Sequence, residues 1–173
     1  VPNNIDQQTP YLQSGNPRTE NRLPDNYSAG QLGSRFTFVD TTVSPNRAKG
    51  YQLVQADSVL STATFEGAVA WWVNRAAYTV TTDPANRGQI AGVFQTIVTA
   101  GYICCVQQSG PSTVKVTTGT PAVTGNFAVP SATAATADAI ALGTAATHPI
   151  LGLFQSVATD NFATVELQVP GQP

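Results

Sequence analysis

From Phe36 onward the chain is a succession of short apolar runs rich in β-branched and aromatic residues. They fall at 36–43, 51–56, 67–73, 78–82, 90–98, 102–108, 113–118, 150–158 and 162–169, and Gly, Pro, Asn and Asp separate them. Many short strands punctuated by turn residues predict a mainly β protein, a small β-barrel or β-sandwich of short antiparallel strands. No stretch carries a sustained apolar stripe at helical spacing. The best helix candidate is 131–142, where Ala favours a helix but Thr and the lack of a clear apolar face do not.

One pattern recurs. Residues 90–99 read IAGVFQTIVT and residues 150–159 read ILGLFQSVAT, and each is followed by a two-residue turn and an aromatic-led strand starting at Tyr102 or Phe162. Each copy, 90–108 and 150–169, reads as a β-hairpin whose turn is supplied by Ala100-Gly101 or Asp160-Asn161. Gly92 and Gly152 fall inside strands, where glycine marks a bulge or a close backbone approach. In the second copy Ala163, Val165, Leu167 and Val169 share one face and predict the core side, with Phe162, Thr164, Glu166 and Gln168 opposite. By correspondence Ile103 and Cys105 point inward, and Tyr102 and Cys104 outward. Val106 breaks that pattern, which calls for cover on the outward face by another element or a neighbouring subunit.

The first 34 residues differ. Pro2, Pro10, Pro17 and Pro24 interrupt a segment rich in Asn and Gln, with Ile5, Tyr11, Leu12, Leu23, Tyr27 and Leu32 as its few large apolar residues. Too little apolar surface is available there to offset the entropy of ordering. Residues 1–34 are therefore expected to form an extended arm, able to span on the order of 100 Å, that lies on a neighbour's surface. Residues 35–173 are expected to form the β domain.

Charge sharpens this division. Charged residues are 10% of the chain and the net charge is −2, against roughly 25% charged in ordinary domains. From Gly88 to the end the only charges are Lys115, Asp138, Asp160 and Glu166. No basic stripe is present for nucleic acid, and no basic amphipathic stretch for a membrane surface. No apolar run approaches a membrane span, and the Pro- and Asn-rich start does not read as a signal peptide. A surface so poor in charge points instead to contact with other protein.

Candidate chemistry is sparse. His148 is the single histidine, and Cys104 and Cys105 are adjacent, so they are poorly placed to bridge each other or to form a zinc site. Ser112 and Lys115 match the short S-x-x-K spacing of acyl-serine enzymes, without the supporting motifs and on a strand-like run. Asp138, Asp160 and Glu166 have no spacing that predicts a catalytic pair or a calcium loop. No catalytic residue, cofactor, metal or small-molecule substrate is expected. Trp71-Trp72 is the one aromatic cluster. On a strand its rings face opposite sides, one toward the core, the other under a loop or serving as an interface anchor.

The run Gly88-Gln89-Ile90-Ala91-Gly92-Val93-Phe94, then Thr99-Ala100-Gly101-Tyr102 and Val106-Gln107, resembles the decoration (cement) proteins of tailed-phage capsids. Val129-Pro130-Ser131, the Ala/Thr-rich 132–147 and the hairpin opening at Ile150-Leu151-Gly152 extend the resemblance, which covers roughly 65–170. It implies a small β-barrel or sandwich, a homo-oligomer (a trimer, with a dimer as the alternative), and a place on the capsid exterior after synthesis in the host cytoplasm. The partner it implies is the major capsid protein. The arm has no counterpart in the shorter members. Candidate interface residues are Tyr11, Leu12, Leu23, Tyr27 and Leu32 in the arm, with Trp71, Trp72 and Tyr102 in the domain. The competing reading is another virion surface component, a head-fibre or tail protein, with a glycan site built on Trp71, Trp72 and Tyr78.

Overall fold

The computed structural model describes residues 17–24, 31–41, 47–62, 64–119 and 122–169. Eleven strands join in one mixed, mostly antiparallel sheet, with no α-helix among the described residues. In chain order they are β1 (Asn21–Arg22), β2 (Arg35–Asp40), β3 (Arg47–Ala56), β4 (Val69–Asn74), β5 (Thr79–Thr81), β6 (Ile90–Phe94), β7 (Ile103–Lys115), β8 (Phe127–Pro130), β9 (Ala137–Ile140), β10 (Gly152–Phe154) and β11 (Phe162–Gln168).

The sheet closes on itself. β3 pairs with β5, β5 with β4, β4 with β6, β6 with β7, and β7 pairs back with β3. These five strands form a small barrel filled by Val54, Ala56, Ala70, Trp72, Val80, Phe94, Cys104 and Val106 among others. Small residues such as Ala68, Ala70 and Ala91 leave room for the one indole inside, the alternation of large and small that a narrow barrel needs.

β7 is long enough to belong to two layers. Its first half completes the barrel. From Ser109 to Lys115 it pairs with β11, which continues through β10 and β8 to β9. This second sheet packs on the outside of β4 and β6, and the layer between holds Trp71, Ile90, Val93, Leu151, Phe154, Val165 and Leu167. A smaller cluster of Tyr51, Leu53, Ile103 and Cys105 lies on the opposite side of the barrel, capped by Leu32 and Phe36. The architecture thus combines the two forms expected, a barrel and a sheet stacked on it.

The alternation expected in β11 holds: Ala163, Val165, Leu167 and Val169 are buried. Gly92 and Gly152 occupy equivalent places, where a Cβ would collide with the carbonyl oxygen of Gln107 or Glu166 on the paired strand. The two repeat copies diverge at their turns. Asp160 and Asn161 both have positive φ, and Thr159 and Phe162 exchange backbone hydrogen bonds of 2.8 and 2.9 Å. That is a tight type I′ hairpin. In the first copy Tyr102 N–H donates to Thr99 O (3.1 Å) and only Gly101 has positive φ, as a type II turn requires. Such a turn splays its strands. Tyr102 O accepts instead from Ala56 N–H (2.8 Å), and Thr99 N–H donates to the Asn21 side chain (3.1 Å). The first copy therefore opens into the barrel, and the second stays a hairpin.

Three expectations can be set against the structure. The helix candidate 131–142 is a turn leading into β9, held by a hydroxyl cluster in which Thr117 Oγ1 meets Ser131 Oγ (2.7 Å) and Thr136 Oγ1 (2.9 Å). The cover expected over the outward face of Cys104 and Val106 is present: that face is the barrel interior, enclosed by the chain's own strands. Residues 17–24 and 31–34, within the expected arm, are joined to the β strands. β1 pairs with β7 (Arg22↔Ile103), Gly33 N–H donates to Leu53 O (2.8 Å), and Glu20 and Arg22 form a buried ion pair at 3.0 Å.

Candidate interaction surface

The sequence-selected aromatic pair is not on the surface. Trp71 is 0% and Trp72 2% exposed. They do face opposite sides of β4, but each side is a core: Trp72 fills the barrel, edge-on to Tyr78, and Trp71 fills the layer between barrel and second sheet. Neither can anchor a partner or stack on a sugar. Leu32 is half-buried against the cluster around Tyr51, and Tyr102 is half-buried beside the Gly101 turn. Leu23 is 66% exposed and remains available. Tyr11, Leu12 and Tyr27 lie outside the described residues.

The short S-x-x-K match does not assemble. Ser112 and Lys115 are three apart on β7 and so face opposite sides. The Ser112 hydroxyl accepts from Gln95 Nε2 (2.8 Å) and donates to Thr113 O (3.2 Å). Lys115 Nζ sits 4.6 Å from the centre of the Phe65 ring and 5.5 Å from that of Phe162, a cation–π site. Asp160 belongs to the hairpin turn and Glu166 pairs with Arg47 at 3.2 Å. Among the described residues no three His, Cys, Asp or Glu side chains converge on a point where a metal ion could sit.

The surface does offer an edge and a cleft. Among the described residues β2 has a single hydrogen-bonding neighbour, β3, and none on its other side. Leu53 N–H donates to Ser34 O, which fixes the parity of the ladder. Phe36, Phe38 and Asp40 turn their backbone groups toward β3. Arg35, Thr37 and Val39 turn theirs outward. Natural edges are blunted by Lys, Pro or a bulge. β2 has none of these, its charges stand only at its two ends, and Phe38 (44%) and Val39 (52%) are exposed on it.

Beside this edge runs a cleft of about 200 Å³ lined by Phe38, Val39, Asp40, Lys49, Tyr51 and Arg18. Its charges are mutually paired: Lys49 donates to Asp40 at 2.9 Å, and Arg18 meets Glu66. Burial pushes the Tyr51 hydroxyl above its usual range, partly opposed by Arg18. A sequence reading could not find the edge, because openness is a property of strand order. Further exposed apolar side chains lie elsewhere on the surface: Val59, Ile97, Leu142 and Val157 are each more than half exposed.

Compared with protein-family models and with curated protein sequences, the chain matches none.

Proposed function

We propose that this chain is a structural virion protein that binds the outside of a tailed-phage capsid and stabilises it, working as a homo-oligomer. The observation that carries the reading is a surface poor in charge, with Phe38 and Val39 exposed on β2, a strand that has one neighbour among the described residues. Such a surface suits burial against protein. The barrel with its stacked sheet supplies a rigid body, and the residue pattern of 88–107 and 129–152 supplies the resemblance. The glycan-binding alternative loses its Trp71 and Trp72 side chains to the two cores. A head-fibre or tail component remains the competing placement.

The mechanism is mass action. A protein that binds the assembled shell and not its free subunits stabilises the shell by about 2.7 kcal/mol per site at a hundredfold excess over Kd. The test is co-sedimentation of the purified chain with empty heads of its own phage, with shell disruption followed on heating. Saturable binding and a raised disruption temperature are expected. A chain that stays in the supernatant at micromolar shell concentration would sink the reading.

A further inference from the structure

We propose that the cleft beside β2 is one half of a binding site for a neutral sugar, with the Phe38 ring as its apolar contact and Gln95, Thr113, Thr164 and the Asp40–Lys49 pair as its hydrogen-bonding groups. The site owes nothing to Trp71 or Trp72, and it does not depend on the shell reading above.

The cleft of about 200 Å³ adjoins a second hollow of about 210 Å³, and Arg18, Asp40 and Lys49 line both. The second hollow continues past Glu66 to Gln95, Ser112, Thr113 and Thr164. Together the two reach the lower end of the range for small-molecule sites, ~300–1,000 Å³. Strand register places the lining. Phe38 stands opposite Lys49 in the β2–β3 pair and Asp40 lies two residues on, so all three share one face. Thr113 and Thr164 are direct partners across β7 and β11, and both are exposed.

Three features select the ligand. The first is charge balance. Charged residues are 10% of the chain, yet two of each sign meet here and neutralise one another, Lys49 with Asp40 and Arg18 with Glu66. A charged ligand has to compete with one of these pairs. A hydroxyl does not, because it both donates to a carboxylate and accepts from an ammonium or guanidinium. The second is a fixed acceptor. Gln95 is 6% exposed, and its Nε2 donates to Ser112 Oγ (2.8 Å) and, at 3.4 Å, to Phe94 O. Its Oε1 makes no hydrogen bond among the described residues, so the hollow is lined by an acceptor held in place and ready for a donor. The third is the division of the lining. The half-exposed Phe38 ring stands at one end, and the Thr113 and Thr164 hydroxyls at the other. An apolar wall with a few convergent polar groups is the usual make-up of a ligand site. A pyranose ring, with a C–H face and a rim of hydroxyls, presents the matching division.

The experiment is a nuclear magnetic resonance titration of the full ¹⁵N-labelled chain with glucose, galactose, N-acetylglucosamine, maltose and lactose, each to tens of millimolar. Saturable shifts are expected with at least one of them, concentrated on Phe38, Asp40, Thr113, Thr164 and the side-chain amide of Gln95. Phe38→Ala, which removes the apolar wall, and Asp40→Asn, which keeps the shape and removes the charge, should each weaken that binding about tenfold. Phe38 is 44% exposed, so its truncation leaves the core intact, and each variant's own spectrum reports its fold. No response to any of the five sugars overturns the proposal, and so does binding indifferent to both substitutions. A response to inorganic phosphate and to no sugar overturns the neutral class. Shell co-sedimentation is scored separately, so failure of one reading is not failure of the other.

Discussion

The thiols of Cys104 and Cys105 are next to each other in sequence and in different cores. Cys104 faces the barrel interior and Cys105 the cluster of Tyr51, Leu53 and Ile103. Burial raises both thiols far above the usual 9.0, with Glu20 adding to the effect, and raises Tyr51 above 10.0. A buried thiol held neutral is a poor nucleophile. Both cysteines should therefore resist alkylation in the folded protein at about pH 8 and react on unfolding, as counted by mass spectrometry. The direction of the shifts sets the sign of the pH dependence. The folded state disfavours ionisation that the unfolded chain allows from its ordinary value of 9.0 upward. Stability is full below that value and is lost as pH rises through and beyond it. The midpoint of thermal unfolding should be flat between about pH 7 and 8 and fall by about pH 10.5, and Cys104→Ala should make that fall shallower. An alkaline limb unchanged by Cys104→Ala would show that the thiol is not its source. The alternation of β7 is legible in the sequence and its meaning is not. Cys104 and Cys105 do point to opposite sides, but nothing in a strand's own pattern says that both sides are covered.

At the scale of elements, the two repeat copies show how one short motif makes two structures. The matching runs give β6 and β10, and the glycines at 92 and 152 admit the same close approach of a neighbouring carbonyl. The turns set the difference. Asp160 and Asn161 accept positive φ and close a hairpin whose twist matches its strands. Gly101 alone has it in the first copy, and Tyr102 is released to pair with Ala56 in the barrel. Non-Gly residues other than Asn and Asp take positive φ at a cost of roughly 1–2 kcal/mol. Asn161→Ala should lose about 1 kcal/mol in denaturant unfolding, while Asn161→Gly should be neutral or stabilising. Equal effects of Ala and Gly would mean the turn conformation is not what the site demands. By pattern the long strand β7 reads as two, broken at Gly110-Pro111. It runs through because the buried Gln107 side chain donates to the carbonyls of Ser109, Gly110 and Pro111 at 3.0–3.3 Å, bracing the bend. Strands β8 and β9 escape a sequence reading because each is only four residues long, and one of the hydroxyls that hold them lies far off in sequence, at Thr117. The docking of residues 17–24 is hidden for a related reason. Its support is a backbone ladder and a buried Glu20–Arg22 pair, neither of which a count of apolar residues registers.

At the scale of the molecule, a barrel and a second sheet share one strand, and that sharing couples their stability. The first half of β7 closes the barrel and the second half seats β11. Trp71 and Trp72, side by side on β4, tie the two cores together from a single element. Loss of either core therefore removes support from strands of the other, and the two layers should unfold as one unit rather than in sequence. Phe94 belongs to the barrel core and Phe154 to the layer between the sheets, and both are fully buried. Truncating either, by Phe94→Ala or Phe154→Ala, should cost about 3–5 kcal/mol. In each case the whole transition should move, with tryptophan fluorescence and far-ultraviolet circular dichroism still coincident. If Phe154→Ala instead splits the transition, leaving a barrel that melts later with Trp72 still buried, the second sheet is an accessory and β7 does not couple the layers. The distinction bears on the proposed role. A protein that stabilises a shell transmits load between the surfaces it touches, and it can do so only if the face bearing the β2 edge and the face bearing the β11 hairpin belong to one rigid body.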